Sequence, residues 1–226
     1  NNKVNIEETL FISLSSRWIF NKNDIKNFFK NKIVNFHGSR LPLDSGAGGY
    51  SWRIMNNDRI CNQLIHLVDP GIDSGPILFN KISLFPSYCK IPQDFFDYQN
   101  SHIVTFYKEF ISKVVKGYDF TLRYQTEYLR TYFPRLNTVI NSWLDWKMKS
   151  EDLIKFINAF DNPYSGATTK IDNESVSLKK VHLHGAEAIN HSFLTGLIIR
   201  KTNSWIVVAT IDNNCLIVEE VLNKNN

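Results

Sequence analysis

Apolar and polar positions divide the chain into short, alternating elements. Residues 9–13 form an unbroken apolar run closed by a serine, which predicts a strand buried on both faces. Ile25, Phe28 and Phe29 follow at i, i+3, i+4 spacing and predict a short helix with Asn23 as its N-cap. Residues 33–36 read as a second strand, and strand–helix–strand is the rhythm of a parallel α/β sheet. Glycines 46, 48 and 49 then mark a loop that either bends sharply or lets a ligand approach its backbone. A short helix over 50–55, a strand over 62–68, a turn-rich loop over 69–75 and a strand over 76–85 come next. The longest amphipathic stretch, 95–115, carries Phe96, Ile103, Phe106, Phe110, Ile111 and Val114 along one stripe.

Residues 118–142 are irregular and aromatic, and predict a linker wrapping the first unit. A helix over 150–160 is stopped by Asn162-Pro163-Tyr164-Ser165-Gly166. Strands are expected over 167–171, 175–182, 197–201, 204–209 and 215–221, separated by Asp-Asn turns. The organisation expected is a first domain over 1–120, a linker over 121–142 and a smaller, mostly-β unit over 143–226. There is no internal repeat.

Composition narrows the classes. With 43% apolar and 21% charged residues over 226 positions, the chain is neither disordered nor of low complexity. A net charge of +4, from 26 basic and 22 acidic residues without a long basic run, is too diffuse to point to nucleic acid. No window reaches the apolar length of a membrane span, and no leader pattern is present. Cys61, Cys89 and Cys215, odd in number and far apart, give neither a disulfide framework nor zinc spacing, so a reducing cytoplasm is expected.

Chemistry concentrates after the second strand. Asn35 and His37 are two apart, so on an extended chain both project from one face, where a glycine-bearing loop begins. In an open parallel sheet ligands lie at that carboxyl edge, and Asp73, from the loop after the following strand, is able to join them. An amide donates without titrating, an imidazole donates or relays a proton, and a carboxylate beside it favours the charged ring. Such a set suits attack on a carbonyl whose oxygen gains negative charge. No nucleophilic Ser or Cys is expected in the cluster, so the attacking group belongs to the substrate. Spacing alone leaves plainer readings open: His37 as a loop residue, Asn35 as a turn former, Asp73 as a turn cap.

The order Asn35-Phe36-His37-Gly38-Ser39-Arg40-Leu41-Pro42, a Gly-rich loop, His66, then Gly71-Ile72-Asp73-Ser74-Gly75-Pro76 resembles the formyltransferases that use 10-formyltetrahydrofolate. Residues 13–20 resemble the segment before this motif. Trp143-Leu144-Asp145-Trp146 and residues 160–167 are similar to the entry into the C-terminal subdomain of methionyl-tRNA and sugar formyltransferases. The resemblance implies an α/β fold with a Rossmann-like parallel-sheet core, lacking its first units, and a mostly-β, OB-like C-terminal subdomain. It makes Asn35, His37 and Asp73 the catalytic set: Asn35 and His37 hold the oxyanion, and Asp73 orients and charges His37. Arg17, Trp18 and Ile19, with Pro70, Gly71, Ile72 and Asp73, are expected to flank the folate co-substrate, with no metal. His66 is expected to be a satisfied core histidine.

Two departures from the family pattern guide the choice of acceptor. The βα units that usually precede the strand over 9–13 have no counterpart here, an expectation either of a fragment or of a chain lacking part of its substrate pocket. Arg40 and Leu43-Asp44-Ser45 replace the usual basic pair after Pro42, and no basic stripe suits a tRNA backbone. The first expectation is therefore a small nucleotide-linked amino sugar as acceptor, with Ser39, Arg40 and Trp52 towards it, Trp52 being equally plausible as core. Trp143, Trp146, Phe160 and Tyr164 are expected in the core joining the units. Transfer to methionyl-tRNA or glycinamide ribonucleotide, and a catalytically silent binding module, stay as alternatives. Neither nucleic acid nor membrane is an expected partner, and unpaired C-terminal strand edges leave a homodimer as an expectation.

Overall fold

The computed structural model describes residues 5–14, 16, 18–46, 49–185 and 191–223. Its contacts cluster into two compact units. One comprises Asn1–Gly49, Ile60–Phe85 and Tyr98–Arg135; the other comprises Tyr50–Arg59, Pro86–Asp97 and Leu136–Asn226. Both units therefore draw on more than one stretch of the chain. Among the described residues no helix is long and apolar enough to cross a membrane.

The first unit is built on β1 (Phe11–Leu14), β2 (Ile33–His37), β3 (Ser45–Gly46), β4 (Ile60–Leu67), β5 (Ile77–Leu84) and the part of the long helix α2 (Pro92–Val115) from Tyr98 onward; the short helix α1 (Gly49–Met55) falls, but for Gly49, in the second unit. The main sheet has the order β1-β2-β4-β5. β1 and β2 are parallel, as the strand–helix–strand rhythm predicts, whereas β4 runs antiparallel to β2 and β5 antiparallel to β4. β1 lies at the sheet's edge, so Ile12 and Leu14 are exposed and only Ser13 turns inward; the expectation of a strand buried on both faces is corrected. The turn after β1 is a π-helical one over Asp24–Phe28. Its first amide is capped by Asn21, whose Oδ1 accepts from Asp24 N–H at 2.9 Å, and not by Asn23.

Strand alternation sorts the sheet into two faces. Val34 and Ile65 pack with Phe106 and Phe110 of α2, joined by Phe36, Leu67, Phe79 and Phe120. On α2, Phe106 and Phe110 are buried as the stripe predicts, but Phe96 and Ile111 are exposed and the neighbouring Phe95 is buried instead. Gly46 pairs in β3 with Phe133 of β6 (Tyr132–Phe133). Its φ is +94° and a Cβ there would meet the Phe133 carbonyl at 2.6 Å, so this glycine serves close backbone packing.

In the second unit α3 (Thr138–Asn141) and α4 (Ser150–Ala159) precede β7 (Ala167–Ile171), β8 (Glu174–Gly185), β9 (Ile198–Lys201), β10 (Ile206–Ala209) and β11 (Asn214–Asn223). These strands form one antiparallel sheet in the order β7-β8-β11-β10-β9. Leu153, Ile157, Leu178, Leu216 and Val218 are buried. Trp143 and Tyr164, assigned to the core from sequence, are exposed, while Phe160 is buried. Asp161, also buried, accepts from the Lys180 amide at 2.9 Å and so ties the Asn162-Pro163 turn to β8. All three cysteines are buried, and none is in a disulfide.

Phe106→Ala is expected to cost about 3–5 kcal/mol of unfolding free energy, as a deleted core aromatic does. Phe96→Ala, at an exposed position, is expected to change it by less than about 0.5 kcal/mol. Urea titration of both variants checks the assignment of α2's buried face.

Candidate active site

The sheet face opposite α2 carries the polar residues. In the β1–β2–β4 register Ser13 stands beside Asn35, and Asn35 beside His66. Three polar side chains from three adjacent strands thus share one face, and His37 is the next residue on that face of β2. Asn35 Nδ2 lies 3.2 Å from His66 Nε2. His66 Nδ1 lies 2.8 Å from the Leu67 carbonyl, which only accepts, so Nδ1 carries the ring hydrogen and Nε2 accepts from the Asn35 amide. Burial holds the His66 pKa below the usual imidazole range, against the raising influence of that backbone bond and of Asp73 and Asp69. The neutral ring therefore fixes the Asn35 amide with one N–H engaged and the other available to a ligand oxygen.

Asp73 reaches this face by way of the loop over 68–76. β4 runs antiparallel to β2, so its end lies beside the start of β2 and the loop folds back across the face. Asp69 Oδ1 shapes it by accepting from Gly71 N–H at 3.1 Å and Ser74 Oγ at 2.6 Å. A Cβ at Gly75 would fall onto the Leu67 carbonyl oxygen, so only glycine allows the loop to leave β4 this closely. Gln125 Nε2 clamps the loop from outside, donating to the carbonyls of Asp73 and Gly75 at 2.8 and 2.7 Å. Asp73 itself adopts φ +52°, an uncommon conformation for a non-glycine residue. Held so, its Oδ1 sits 3.7 Å from His37 Nδ1 and 3.8 Å from His66 Nε2.

His37 has a defined tautomer too. Ser39 Oγ donates its single hydrogen to the Asp44 carbonyl at 2.8 Å and so accepts from His37 Nε2 at 2.6 Å. This places a serine against an imidazole and a carboxylate, which sequence reading did not foresee. Its proton points away from the ring, the reverse of what an activated nucleophile needs. Proton exchange at His37 is left to Nδ1, the nitrogen facing Asp73. The loop bearing Ser39 is held by Asn62 Nδ2, donating to the Ser39 carbonyl at 3.0 Å, and by Gln99 Nε2, donating to the Gly38 carbonyl at 3.1 Å.

A pocket of about 280 Å³ opens beside this cluster. Of the residues expected from sequence, Asn35, Trp18, Ile19, Gly71, Ile72 and Asp73 line it. Trp18, Ile19 and Ile72 are exposed apolar side chains, an arrangement that suits a flat aromatic ligand. Pro70 and His37 are not among its lining residues, and Arg17 lies outside the described residues. Sequence reading missed Ser13, Ser16, Phe20, Val68 and Asp69. For Ser13 the signal was present: it is the polar residue ending an apolar strand, in the row of Asn35. His66, expected as core, is both buried and part of the lining. Of the residues expected towards the acceptor, Ser39 supports His37, Arg40 is paired with Asp44 at 2.9 Å, and Trp52 lies on α1 outside the lining.

An amide donor, two imidazoles and a carboxylate around one point are the groups that suit attack by a substrate atom on a carbonyl whose oxygen gains negative charge. Residues 138–226 match the family model described as the formyl transferase C-terminal domain. A methionyl-tRNA formyltransferase from Clostridium perfringens is 24% identical over 223 residues, covering 96% of this chain and 67% of its own length. Two solved structures superpose over 96% of the chain: WlaRD, a sugar 3N-formyl transferase, with TM-score 0.70 and 21% identity over 73% of its length, and the Helicobacter canadensis N-formyltransferase, with TM-score 0.72 and 20% identity over 77% of its length. The chain is thus similar to formyltransferases, in sequence at low identity and in fold. It spans 67% of the length of the Clostridium perfringens enzyme and 54% of that of the methionyl-tRNA formyltransferase from Thermodesulfovibrio yellowstonii.

Because burial lowers its pKa, protonating His66 opposes the fold. The stability this residue contributes is present above the free imidazole value of about 6.5 and falls as pH drops below it. Denaturant titrations in chelator-containing buffer between about pH 7.5 and 5 should show a smaller acid loss for His66→Gln than for the native chain. Equal slopes would contradict a neutral, buried ring.

Proposed function

We propose that this chain transfers a formyl group from 10-formyltetrahydrofolate to the amine of a nucleotide-linked amino sugar. The observation that carries the reading is the convergence of Asn35, His37 and Asp73 beside a pocket with exposed apolar walls. The lining fits a folate: Trp18, Ile19 and Ile72 offer apolar surface for a heteroaromatic ring, and the loop residues Gly71–Asp73 border the same space. When bound, 10-formyltetrahydrofolate supplies the activated formyl group. The solved relatives support the pairing of ligands, since WlaRD is described with dTDP and 5-N-formyl-THF, and the Helicobacter canadensis enzyme with folinic acid and dTDP-3-aminofucose.

The roles follow from the hydrogen-bond network. Asn35 donates its second amide hydrogen to a carbonyl oxygen held against it and so stabilises negative charge there. His37 Nδ1 takes the proton that the amine gives up as its nitrogen bonds to the formyl carbon and returns it to the departing folate nitrogen as the old carbon–nitrogen bond breaks, while Asp73, 3.7 Å away, stabilises the imidazolium in between. His66 positions the Asn35 amide, and Ser39 positions the His37 ring.

A small acceptor is favoured over a tRNA. Arg40, in the loop after the motif, is held by Asp44 at 2.9 Å, and the net charge of +4 is small for a partner bound through its phosphate backbone. Methionyl-tRNA is the second reading, favoured by the sequence relatives.

His37→Ala should lower kcat for formyl transfer about 100- to 10,000-fold, and Asn35→Ala about 100- to 1,000-fold, with thermal stability retained. Mass spectrometry of amino-sugar nucleotides incubated with 10-formyltetrahydrofolate reads the gain of one formyl group. Near-native turnover by His37→Ala refutes the mechanism, and formylation of methionyl-tRNA alone selects the second reading.

A further inference from the structure

The cluster has a property that formyl transfer does not require. His37 Nε2 donates to Ser39 Oγ at 2.6 Å and His66 Nδ1 donates to the Leu67 carbonyl at 2.8 Å. Each ring therefore spends its N–H on an oxygen behind it and turns an unprotonated nitrogen forward. His37 Nδ1, His66 Nε2 and Asp73 Oδ1 all lie within 4.8 Å of one another. The two nitrogen-to-carboxylate distances are 3.7 and 3.8 Å. Donors about 2.1 Å from one zinc ion in a tetrahedral arrangement stand about 3.4 Å apart, so each carboxylate-to-nitrogen distance needs to close by only a few tenths of an ångström. Rings whose other nitrogen donates to an oxygen are the usual outer arrangement of metal-binding histidines. His66 is 3% exposed, Asp73 is fixed by its backbone and Gln125, and His37 is fixed through Ser39, so the donors are held in place beforehand.

We propose that His37 Nδ1, His66 Nε2 and Asp73 Oδ1 bind one zinc ion, and that the bound ion closes the site to formyl transfer. Two imidazoles and a carboxylate suit zinc, with water as a fourth ligand. Binding replaces the hydrogen bond from Asn35 Nδ2 to His66 Nε2 and occupies the lone pair with which His37 accepts a proton. Zinc is here an inhibitor competing with the proton for the same nitrogen. The binding argument uses only the three donors, and stands whether or not the acceptor is a sugar.

Titrating the full chain with Co²⁺, as a spectroscopic stand-in for zinc, should give a visible absorption band saturating at one equivalent and lost on adding one equivalent of Zn²⁺. Asp73→Asn should weaken Co²⁺ binding by at least about 100-fold, the upper end of what losing an outer partner alone costs. The double variant His182→Ala/His184→Ala, which removes the exposed pair on β8, should leave binding unchanged. Should Asp73→Asn fail to fold, ring-nitrogen NMR of the native chain decides: one equivalent of Zn²⁺ should shift two of the six histidines, His37 and His66. Absence of the band, its survival in Asp73→Asn, its loss in the β8 variant, or shifts at other histidines overturns the inference. Binding without formyl transfer would leave it standing while refuting the proposed reaction; formyl transfer unaffected by stoichiometric zinc would refute closure of the site.

Discussion

The register between β2 and β4 decides what this molecule can do. Val34 stands opposite Leu67, Asn35 opposite His66, Phe36 opposite Ile65 and His37 opposite Leu64. Because strand side chains alternate, that one alignment sends Val34, Phe36, Ile65 and Leu67 towards α2 and brings Asn35 against His66 on the other face. A slip of one residue would bury the amide and the imidazole among Phe106 and Phe110 and turn the core outward. The aromatic core therefore enforces the register, and the register makes the polar contact. Hydrophobic burial of this kind contributes about 1.5–3 kcal/mol for each large side chain, more than any single hydrogen bond in the cluster.

The loop over 68–76 depends on the same alignment. A strand antiparallel to β2 ends near the beginning of β2, and its exit must turn back at once to return a carboxylate to the polar face. Gly75 permits the close exit past the Leu67 carbonyl, Asp69 ties the turn, and Asp73 takes a left-handed backbone conformation to aim its side chain. Backbone strain of this kind costs about 1–3 kcal/mol and persists where surrounding bonds over-determine it. Here the Gln125 clamp and the Asp69 turn do so, from opposite sides of the loop.

Much of this was legible in the chain. The two-residue spacing of Asn35 and His37 follows from strand period alone, and glycine–aspartate–serine–glycine spacing marks a turn with an outward carboxylate. Strand direction was not legible, because alternation reports which face a residue occupies and is blind to which strand lies beside it and which way it runs. That is why a parallel sheet is expected where β4 and β5 are antiparallel. Phe95 and Phe96 are chemically equivalent neighbours, and only packing selects Phe95 for burial. Likewise Asn21 and Asn23 both flank the π-turn, and the geometry of the turn, not residue type, makes Asn21 the cap. Ser39 was expected towards an acceptor, yet its two hydrogen bonds tie it to His37 and the Asp44 carbonyl, a consequence of the local shape of the loop that residue types do not specify.

Two histidines with opposite tautomers give the site its chemical character. His66 is protonated on Nδ1 and His37 on Nε2, each because a fixed oxygen stands behind the ring. With both hydrogens directed backward, the unprotonated nitrogens and the Asp73 carboxylate face a shared space that attracts positive charge. A proton on His37 Nδ1 is the smallest cation able to satisfy it. The arrangement that favours accepting this proton also favours any small cation with an affinity for nitrogen, because lone pairs held in place for one cannot be withheld from the other. The hydrogen bond from the Asn35 amide to the His66 lone pair, at 3.2 Å, is therefore both what orients the oxygen-binding donor and what a larger cation has to displace to reach the second ring.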